Sequence, residues 1–162
     1  MQIVRGIVEI DAIETFLENL QAIGDQHDAL VQAVDARYVA GPRHLERAVA
    51  STRRAQERGT MIADDLSLEL LLAIAATRQI DRGMEIGVRT GRNRIVVVVD
   101  GGETSPATDA VGRLLESTTA EGTPDTDRLM EWFEISEEER RATSASLEEL
   151  VVERVALLEL ER

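Results

Sequence analysis

The chain has 162 residues, 43% of them hydrophobic and 30% charged, which is typical of one globular domain with a hydrophobic core. It contains no cysteine, which excludes disulfides, thiolate metal sites and cysteine nucleophiles. The first ten residues include Arg5 and Glu9 and lack the apolar run of a signal peptide. No segment reaches the ~18 apolar residues of a membrane-spanning helix, so we expect a cytoplasmic protein.

The net charge is −13, and all 18 basic residues are arginines. An acidic chain without lysine suggests a halophilic source, although a GC-rich genome also replaces lysine by arginine, and the two explanations are compatible. The charge is uneven along the chain. The segment from Arg37 to Arg94 has 11 arginines against seven acidic residues, and the acidic excess lies outside it. This positive segment is a candidate surface for a polyanion.

The N-terminal part predicts a strand, a helix and a second strand. Gln2–Ile10 is rich in β-branched residues and predicts the first strand. Asp11, followed three residues later by Glu14, predicts the capped start of a helix, and Gly24 predicts its end. Ala29–Gly41 predicts a second strand that runs into a loop.

Residues Pro42 to Arg58 predict an amphipathic helix that Gly59 closes. At about 100° per residue, its apolar side chains share one side and four arginines lie on the opposite side. These arginines are Arg43, Arg47, Arg54 and Arg58. They form either the solvated face of an ordinary helix or a strip that faces phosphate groups, because four like charges on one strip repel one another unless a partner compensates them.

The next predicted helix is apolar on all sides. Ser67 is its expected cap, and Glu69 lies in its first turn. Such a helix is either buried in its own domain or covered by a partner. The candidates for partner contact are Leu70, Leu71 and Ile74. The helix ends at Thr77-Arg78-Gln79-Ile80, where a cation also suits the negative end of the helix dipole.

The C-terminal half begins with a strong strand and becomes helical and acidic. Arg94–Asp100 is an unbroken apolar run, which predicts a strand that is buried on both faces. Four later positions have the residues of a helix start. They are Ser105-Pro106, Thr123-Pro124, Ser136 with Glu139, and Ser146 with Glu149.

Together these elements predict an α+β (mixed α/β) fold. We expect a single domain over residues 1–162, with a small sheet of three to four strands and about six or seven helices. No internal repeat and no long linker divides the sequence.

The sequence lacks the signatures of common enzymes. Its two histidines, His27 and His44, are not spaced as a metal pair, and it has no nucleophile elbow, P-loop or dinucleotide fingerprint. Asp100-Gly101-Gly102 follows a strand, where phosphate or metal sites often lie, but a simple turn uses the same residues. An enzyme that uses Asp100 and Glu103 is therefore the least favoured hypothesis. We expect no catalytic activity, no cofactor and no metal.

The order of motifs resembles the small regulatory subunit of the KEOPS complex, whose animal counterpart is called the PRPK-binding protein. The resemblance is strongest between Val34 and Asp100. The matching pieces are Asp35-Ala36, Val39-Ala40-Gly41 with His44-Leu45, the arginine-bearing helix that ends at Gly59, Ser67 to Leu72 with Glu69, and Thr77-Arg78-Gln79-Ile80 followed by Gly87. The short archaeal members of this family are single domains like this chain.

The resemblance implies a non-catalytic subunit. It would bind the small atypical kinase/ATPase of the complex, which in turn contacts the threonylcarbamoyl-transferase subunit. It would also capture tRNA, notably the 3′ CCA end, for threonylcarbamoyl-adenosine modification. The residues that we assign to RNA contact are Arg43, His44, Arg47, Arg54, Arg58, Thr77, Arg78, Gln79 and Ile80.

An alternative is a protein-interaction module that regulates the kinase without touching RNA. The acidic flanks favour this alternative, whereas the positive segment favours RNA binding. The chain has only one Trp, one Tyr and two Phe, so extensive stacking platforms for bases are excluded. RNA contact would therefore depend on arginine, backbone groups and apolar pockets.

Overall fold

The computed structural model describes residues 1–118 and 124–161. Its contacts group the chain into two compact units, each made from two separate stretches. Unit 1 comprises Met1–Ala36 and Gly87–Gly122, and unit 2 comprises Arg37–Ile86 and Thr123–Arg162. The predicted α+β class is confirmed, whereas the assignment of residues 1–162 to one domain stays a prediction.

Unit 1 is built on an antiparallel sheet with the strand order β2-β3-β1-β4. The strands are β1 (Gln2–Ile10), β2 (Leu30–Asp35), β3 (Gly91–Asp100) and the two-residue β4 (Ser117–Thr118). Helices α1 (Ile13–His27) and α5 (Thr104–Leu114) complete a β-α-β-β-α-β order, which with this strand order is the split βαβ arrangement. Residues 37–86 are inserted between β2 and β3.

One face of the sheet and the two helices form the core of unit 1. Alternate residues of a strand point to the same face, so β1, β2 and β3 each contribute every second side chain. The core includes Val4, Val8, Val31, Ala33, Ile95, Val97 and Val99 from the strands, and Phe16, Leu20, Ala107 and Val111 from the helices. Residues Ile95–Val99 of the central strand β3 are all buried, which confirms the prediction from the unbroken apolar run.

The ends of α1 differ from the prediction. Its N-cap is Ala12, without a side-chain cap, because Asp11 lies in the bend that leaves the strand. The helix also continues past Gly24 and closes at Asp28, whose φ is 52°. A Cβ at Gly24 would lie 2.8 Å from the carbonyl oxygen of Ala29. This glycine therefore allows the close approach of the following strand instead of ending the helix.

Three further predicted boundaries are corrected. β2 ends at Asp35, and the following residues form a short 3-10 turn. The cap of helix α3 (Leu66–Ala75) is Asp65, whose Oδ1 accepts a hydrogen bond from the N–H of Ser67 at 2.9 Å. Helix α5 begins at Thr104, one residue before the predicted cap Ser105.

Unit 2 is helical. Its helices are α2 (Pro42–Arg58), α3 (Leu66–Ala75), α4 (Ile80–Met84), α6 (Thr126–Trp132), α7 (Glu137–Ala142) and α8 (Leu147–Leu160). The described residues thus hold eight α-helices, compared with the six or seven predicted. Gly59 closes α2 as predicted, and the predicted caps Ser136 and Ser146 accept hydrogen bonds from Glu139 N and Glu149 N. The predicted cap Thr123 lies outside the described residues, and the cap of α6 is Asp125.

Helix α3 is buried by the chain itself, because it packs against α2, α4 and α8. Leu70 and Ile74 are 0% exposed and Leu71 is 5% exposed. An all-apolar helix is either buried in its own domain or covered by a partner, and the structure shows that α3 is buried in its own domain. The assignment of these three residues to a partner surface is therefore corrected to core packing. Along the described part of the chain, no helix combines the length and apolarity that crossing a membrane requires.

Gly41, the N-cap of α2, has a backbone conformation that other residues adopt only with strain. Its φ of 157° and ψ of −178° lie in a region that is essentially restricted to glycine, and a Cβ there would overlap the carboxylate of Glu148. We expect Gly41→Ala to lower the free energy of unfolding by about 1–3 kcal/mol in urea denaturation. The matched control is Gly112→Ala in α5, where a Cβ meets open space and should stabilise by up to about 1 kcal/mol. Equal effects of the two substitutions would contradict this role of Gly41.

Candidate nucleic-acid interface

Helix α3 ends on two side-chain hydrogen bonds. The last carbonyls of a helix have no partner inside the helix. Here the ring of His44 donates from Nε2 to the carbonyl oxygen of Ile74 at 2.9 Å, and the indole N–H of Trp132 donates to the carbonyl oxygen of Ala75 at 3.0 Å. Ala76 then adopts a left-handed conformation with φ 52° and turns the chain towards Thr77. The position of the predicted motif at Thr77 is thus fixed by α2 and α6.

His44 is a structural residue, and its assignment as an RNA contact is corrected. It is 0% exposed, and its Nδ1 accepts a hydrogen bond from Ala40 N at 3.1 Å, which places the ring proton on Nε2. Burial lowers the pKa of His44 to about 4, although the hydrogen bond to Ile74 opposes this shift. With both ring nitrogens bonded to backbone, this side chain cannot reach a ligand.

The motif Thr77-Arg78-Gln79-Ile80 forms the link between α3 and α4. Thr77 is 9% exposed, and its Oγ1 accepts a hydrogen bond from Gln79 N at 3.1 Å, which shapes the start of α4. Arg78 and Gln79 are exposed, and Ile80 is 42% exposed. Among the described residues, the guanidinium of Arg78 has no hydrogen bond or ion pair, so its donors are available to a ligand.

A cleft of about 230 Å³ opens beside Thr77 within unit 2. Residues from α3 and α4 line one side, and residues from α6 and α8 line the other; the polar or aromatic members include Thr77, Arg82, Trp132, Glu134 and Arg154. Clefts for whole cofactors or drug-sized ligands measure roughly 300–1,000 Å³, so this one suits a single small group such as a nucleobase.

An aromatic–arginine cluster adjoins the cleft. The guanidinium carbon of Arg82 lies 4.0 Å from the ring centroid of Trp132, a cation–π distance. Trp132 meets Tyr38 edge to face with centroids 5.1 Å apart. The guanidinium carbons of Arg37 and Arg128 lie 6.0 and 5.6 Å from the Tyr38 ring, and Arg128 donates to its hydroxyl at 3.3 Å. Two of the few aromatic side chains therefore lie between three arginines.

Arg154 of α8 supports the opposite wall of the cleft. Its Nε donates to the carbonyl oxygen of Phe133 at 3.0 Å, and its Nη2 donates to Glu134 O at 3.2 Å and to Glu139 Oε1 at 2.7 Å. Glu134 has a positive φ of 54°, so the arginine holds a tight turn after α6. Arg154 is consequently a structural cation, whereas Arg78 is an available one.

Three of the four predicted arginines on α2 form ion pairs with α8. Arg43 is paired with Glu149 at 3.4 Å, and Arg47 and Arg54 converge on Glu159. The hydrogen bond from Arg54 holds the pKa of Glu159 below its usual range, and the same bond raises the pKa of Arg54. The arginine strip thus faces a row of carboxylates as well as solvent.

The sequence does not predict the cleft residues Arg82 and Trp132 or the adjoining Tyr38 as site residues, because they lie on separate segments that meet only in the fold. The available signals were weak. Arg82 follows Arg78 by four residues inside the positive segment, and Trp132 is the one tryptophan of the chain, on an acidic stretch. A lone tryptophan among polar residues is a reason to look for a specific contact.

The structure gives Asp100 the geometry of a turn. It is the last residue of β3, and the following Gly101 and Gly102 have φ of 82° and 55°. A Cβ at Gly102 would overlap the carbonyl groups of His27 and Asp28, so this glycine is required by close packing. Within residues 1–118 and 124–161, no three acidic or histidine side chains come together as a metal site.

A protein-family model described as "Kinase binding protein CGI-121" matches residues 10–159, which is most of the chain. The chain has no significant match among curated proteins.

Burial of neutral His44 predicts acid-sensitive stability. An unfolded histidine binds its proton near pH 6.5, whereas His44 in the fold binds it only near pH 4, so the unfolded state holds the extra proton between these values. The free energy of unfolding should therefore fall as the pH decreases from 6.5 to 4, by on the order of 3 kcal/mol. Urea denaturation at about pH 7 and about pH 4 measures this loss.

The variant His44→Gln should be less stable at pH 7 but should lose less stability on acidification. His27→Gln is the matched control, since His27 lies at the end of α1 outside this hydrogen-bond pair. If His44→Gln kept the full pH dependence of the wild type, another group would be responsible.

Proposed function

Because the chain belongs to the CGI-121 family of kinase binding proteins, we propose that it is the non-catalytic KEOPS subunit that binds the small kinase/ATPase and recruits tRNA by its 3′ CCA end. The family match over residues 10–159 supports the kinase partner. The resemblance of its motifs to the regulatory subunit, strongest from Val34 to Asp100, supports the tRNA role.

The observation that carries the RNA role is an available arginine beside a cleft of nucleobase size. Arg78 follows Thr77, which lines the cleft, and its guanidinium has no partner among the described residues. In this proposal a terminal base enters the cleft beside Trp132 and the Arg78 guanidinium binds an adjacent phosphate. Base–aromatic stacking contributes about 1–3 kcal/mol per base, which is enough to discriminate a free single-stranded end from a duplex.

The fixed walls and the small size of the cleft favour a single-stranded end as the ligand. The walls are held by internal hydrogen bonds of Trp132 and Arg154, so the cleft is preformed. A preformed cleft of this size admits one unstacked base but cannot admit a base inside a helix. Gln79, exposed at the start of α4, offers amide donors and acceptors for the edge of that base.

A second candidate function is a protein module that regulates the kinase without RNA contact. The ion pairs of Arg43, Arg47 and Arg54 with α8 favour it, because these arginines already have anionic partners. The two functions share the kinase and differ only in RNA binding. Co-purification with the kinase would therefore be expected for both.

Trp132 provides an intrinsic probe of the cleft, because it is the one tryptophan in the chain. We expect tRNA to change the emission of Trp132, and tRNA trimmed of its CCA end to leave it unchanged. The variant Arg78→Ala should weaken the binding of intact tRNA about tenfold, in line with the loss of a charge-assisted hydrogen bond to phosphate.

The matched control is Arg141→Ala, which removes an exposed arginine from α7 and should leave the affinity unchanged. Equal binding of intact and trimmed tRNA would overturn the CCA role. If the protein bound the kinase but neither intact nor trimmed tRNA, its function would be that of the protein module.

A second expectation concerns salt. The chain carries a net charge of −13, and at ~1 M salt the Debye length is about 3 Å, so attraction to RNA must come from short-range contacts. We expect the CCA-dependent part of the affinity, taken as the difference between intact and trimmed tRNA, to fall with the logarithm of KCl concentration with a slope of about −1, as for one or two phosphate contacts on a single strand. A filter-binding titration from low to molar KCl measures the slope, and a value near −5 would indicate many phosphate contacts instead.

A further inference from the structure

The arginine strip on α2, formed by Arg43, Arg47, Arg54 and Arg58, carries more charge than its partners on α8 neutralise. Three of the four guanidinium groups pair with two carboxylates of α8, those of Glu149 and Glu159, and Glu57 on α2 also acts electrostatically on Arg54. Arg58 is exposed at the end of the strip, and its charge is close enough to contribute to the lowered pKa of Glu159. The strip therefore keeps a local positive excess on a strongly acidic chain.

Glu159 occupies the centre of the strip in the manner of a bound anion. Its two oxygens accept from Nε and Nη2 of Arg54, the latter at 2.8 Å, and a third bond comes from Arg47 Nη2 at 3.1 Å. The Glu159 side chain is only 13% exposed. A fork of two guanidinium groups around one carboxylate has the geometry that arginines also use for a phosphate group.

The arginines of the strip remain reachable from solvent. The side chains of Arg47 and Arg54 are 36% and 34% exposed, and that of Arg43 is 62% exposed. Arg47 also keeps a buried Nε–H without a hydrogen-bond partner among the described residues. The strip extends along α2 for about 22 Å at ~1.5 Å per residue, a length that covers several successive phosphates.

The chemistry of the strip favours a nucleic-acid backbone over an acidic protein segment. Protein interfaces depend on buried apolar or aromatic anchors. Among the described residues, none of the large exposed apolar side chains lies on α2 itself, and the two on the neighbouring α8 are Leu157 and Leu160. Phosphate contacts need only a row of cations at suitable spacing, which is what this helix face offers.

We propose that the arginine strip is a second RNA surface, which binds the phosphodiester backbone, and that Glu159 acts there as a built-in competing anion. This inference rests on the RNA partner of the proposed function but not on the cleft or on the CCA end. RNA must either displace Glu159 from the N–H donors of Arg47 and Arg54 or share these donors with it. The Glu159 carboxylate therefore sets the affinity of the strip for RNA. The same carboxylate discourages weak binding of unrelated anions.

The test uses Glu159→Gln and, as a control of equal charge change, Glu153→Gln on the exposed side of α8. The probe is tRNA trimmed of its CCA end, measured at about 0.1 M KCl. Glu159→Gln should bind this RNA about tenfold more tightly than Glu153→Gln does, because two guanidinium groups lose their competing anion. Equal affinities of the two variants would show that Glu159 serves only to pack α8 on α2, and would overturn the proposal.

Arg58→Ala keeps the proposal testable if Glu159→Gln fails to fold, since among the described residues this exposed arginine makes no hydrogen bond or ion pair to α8. It should weaken trimmed-tRNA binding and reduce the steepness of its salt dependence by about one unit. Arg113→Ala, an exposed arginine of α5, is the control and should change neither quantity. No difference between Arg58→Ala and Arg113→Ala would also overturn the proposal.

The outcomes separate this inference from the proposed function. A gain for Glu159→Gln on trimmed tRNA, without any effect of the CCA end, supports the strip and removes the CCA role. An effect of the CCA end without a gain for Glu159→Gln supports the CCA role and overturns the strip. If polyglutamate shows the same gain as RNA, the strip binds acidic protein segments and the RNA assignment is overturned.

Discussion

Two side-chain N–H groups that cap the end of α3 determine the arrangement of unit 2 around the cleft. His44 and Trp132 donate to the consecutive carbonyls of Ile74 and Ala75. A buried carbonyl without a partner costs about 1–3 kcal/mol, so the two bonds hold two separate segments, α2 and α6, to the last turn of α3. The chain direction after Ala76, the exposure of Arg78 and the width of the cleft all depend on this connection.

Elements with a strong local pattern could be predicted from the sequence. β1, α2 with its terminal Gly59, the buried β3 and the caps Ser136 and Ser146 all depend on residues a few positions apart. The errors concern contacts between distant segments. In the sequence Gly24 predicts a helix end, whereas in the fold it makes room for Ala29 O. The assignment of His44 to RNA contact fails because its 0% exposure is not visible in a sequence.

The candidate site shows the same limit for charge. The segment from Arg37 to Arg94 is positive in the sequence, but in the fold α8 supplies carboxylates to Arg43, Arg47 and Arg54. A window of sequence therefore overestimates the positive surface, since acidic residues far along the chain return to it. Of the arginines predicted to contact RNA, Arg78 is the one that lies beside the cleft with an available guanidinium group. The aromatic members of that region are equally remote in sequence, and only the fold brings Tyr38 to Trp132.

The insertion of residues 37–86 between β2 and β3 has a consequence for folding. β3 is the strand that joins β1 to β2, and it leaves the ribosome after both of them and after the whole insertion. Closing so long a loop is entropically costly, and non-local strand pairing is slow. Helices α2 and α3 pack on each other across a short loop, so their contacts can form while the sheet is still incomplete. During synthesis β1 and β2 therefore keep unpaired edges until β3 has emerged, which makes this the interval in which aggregation competes most with folding.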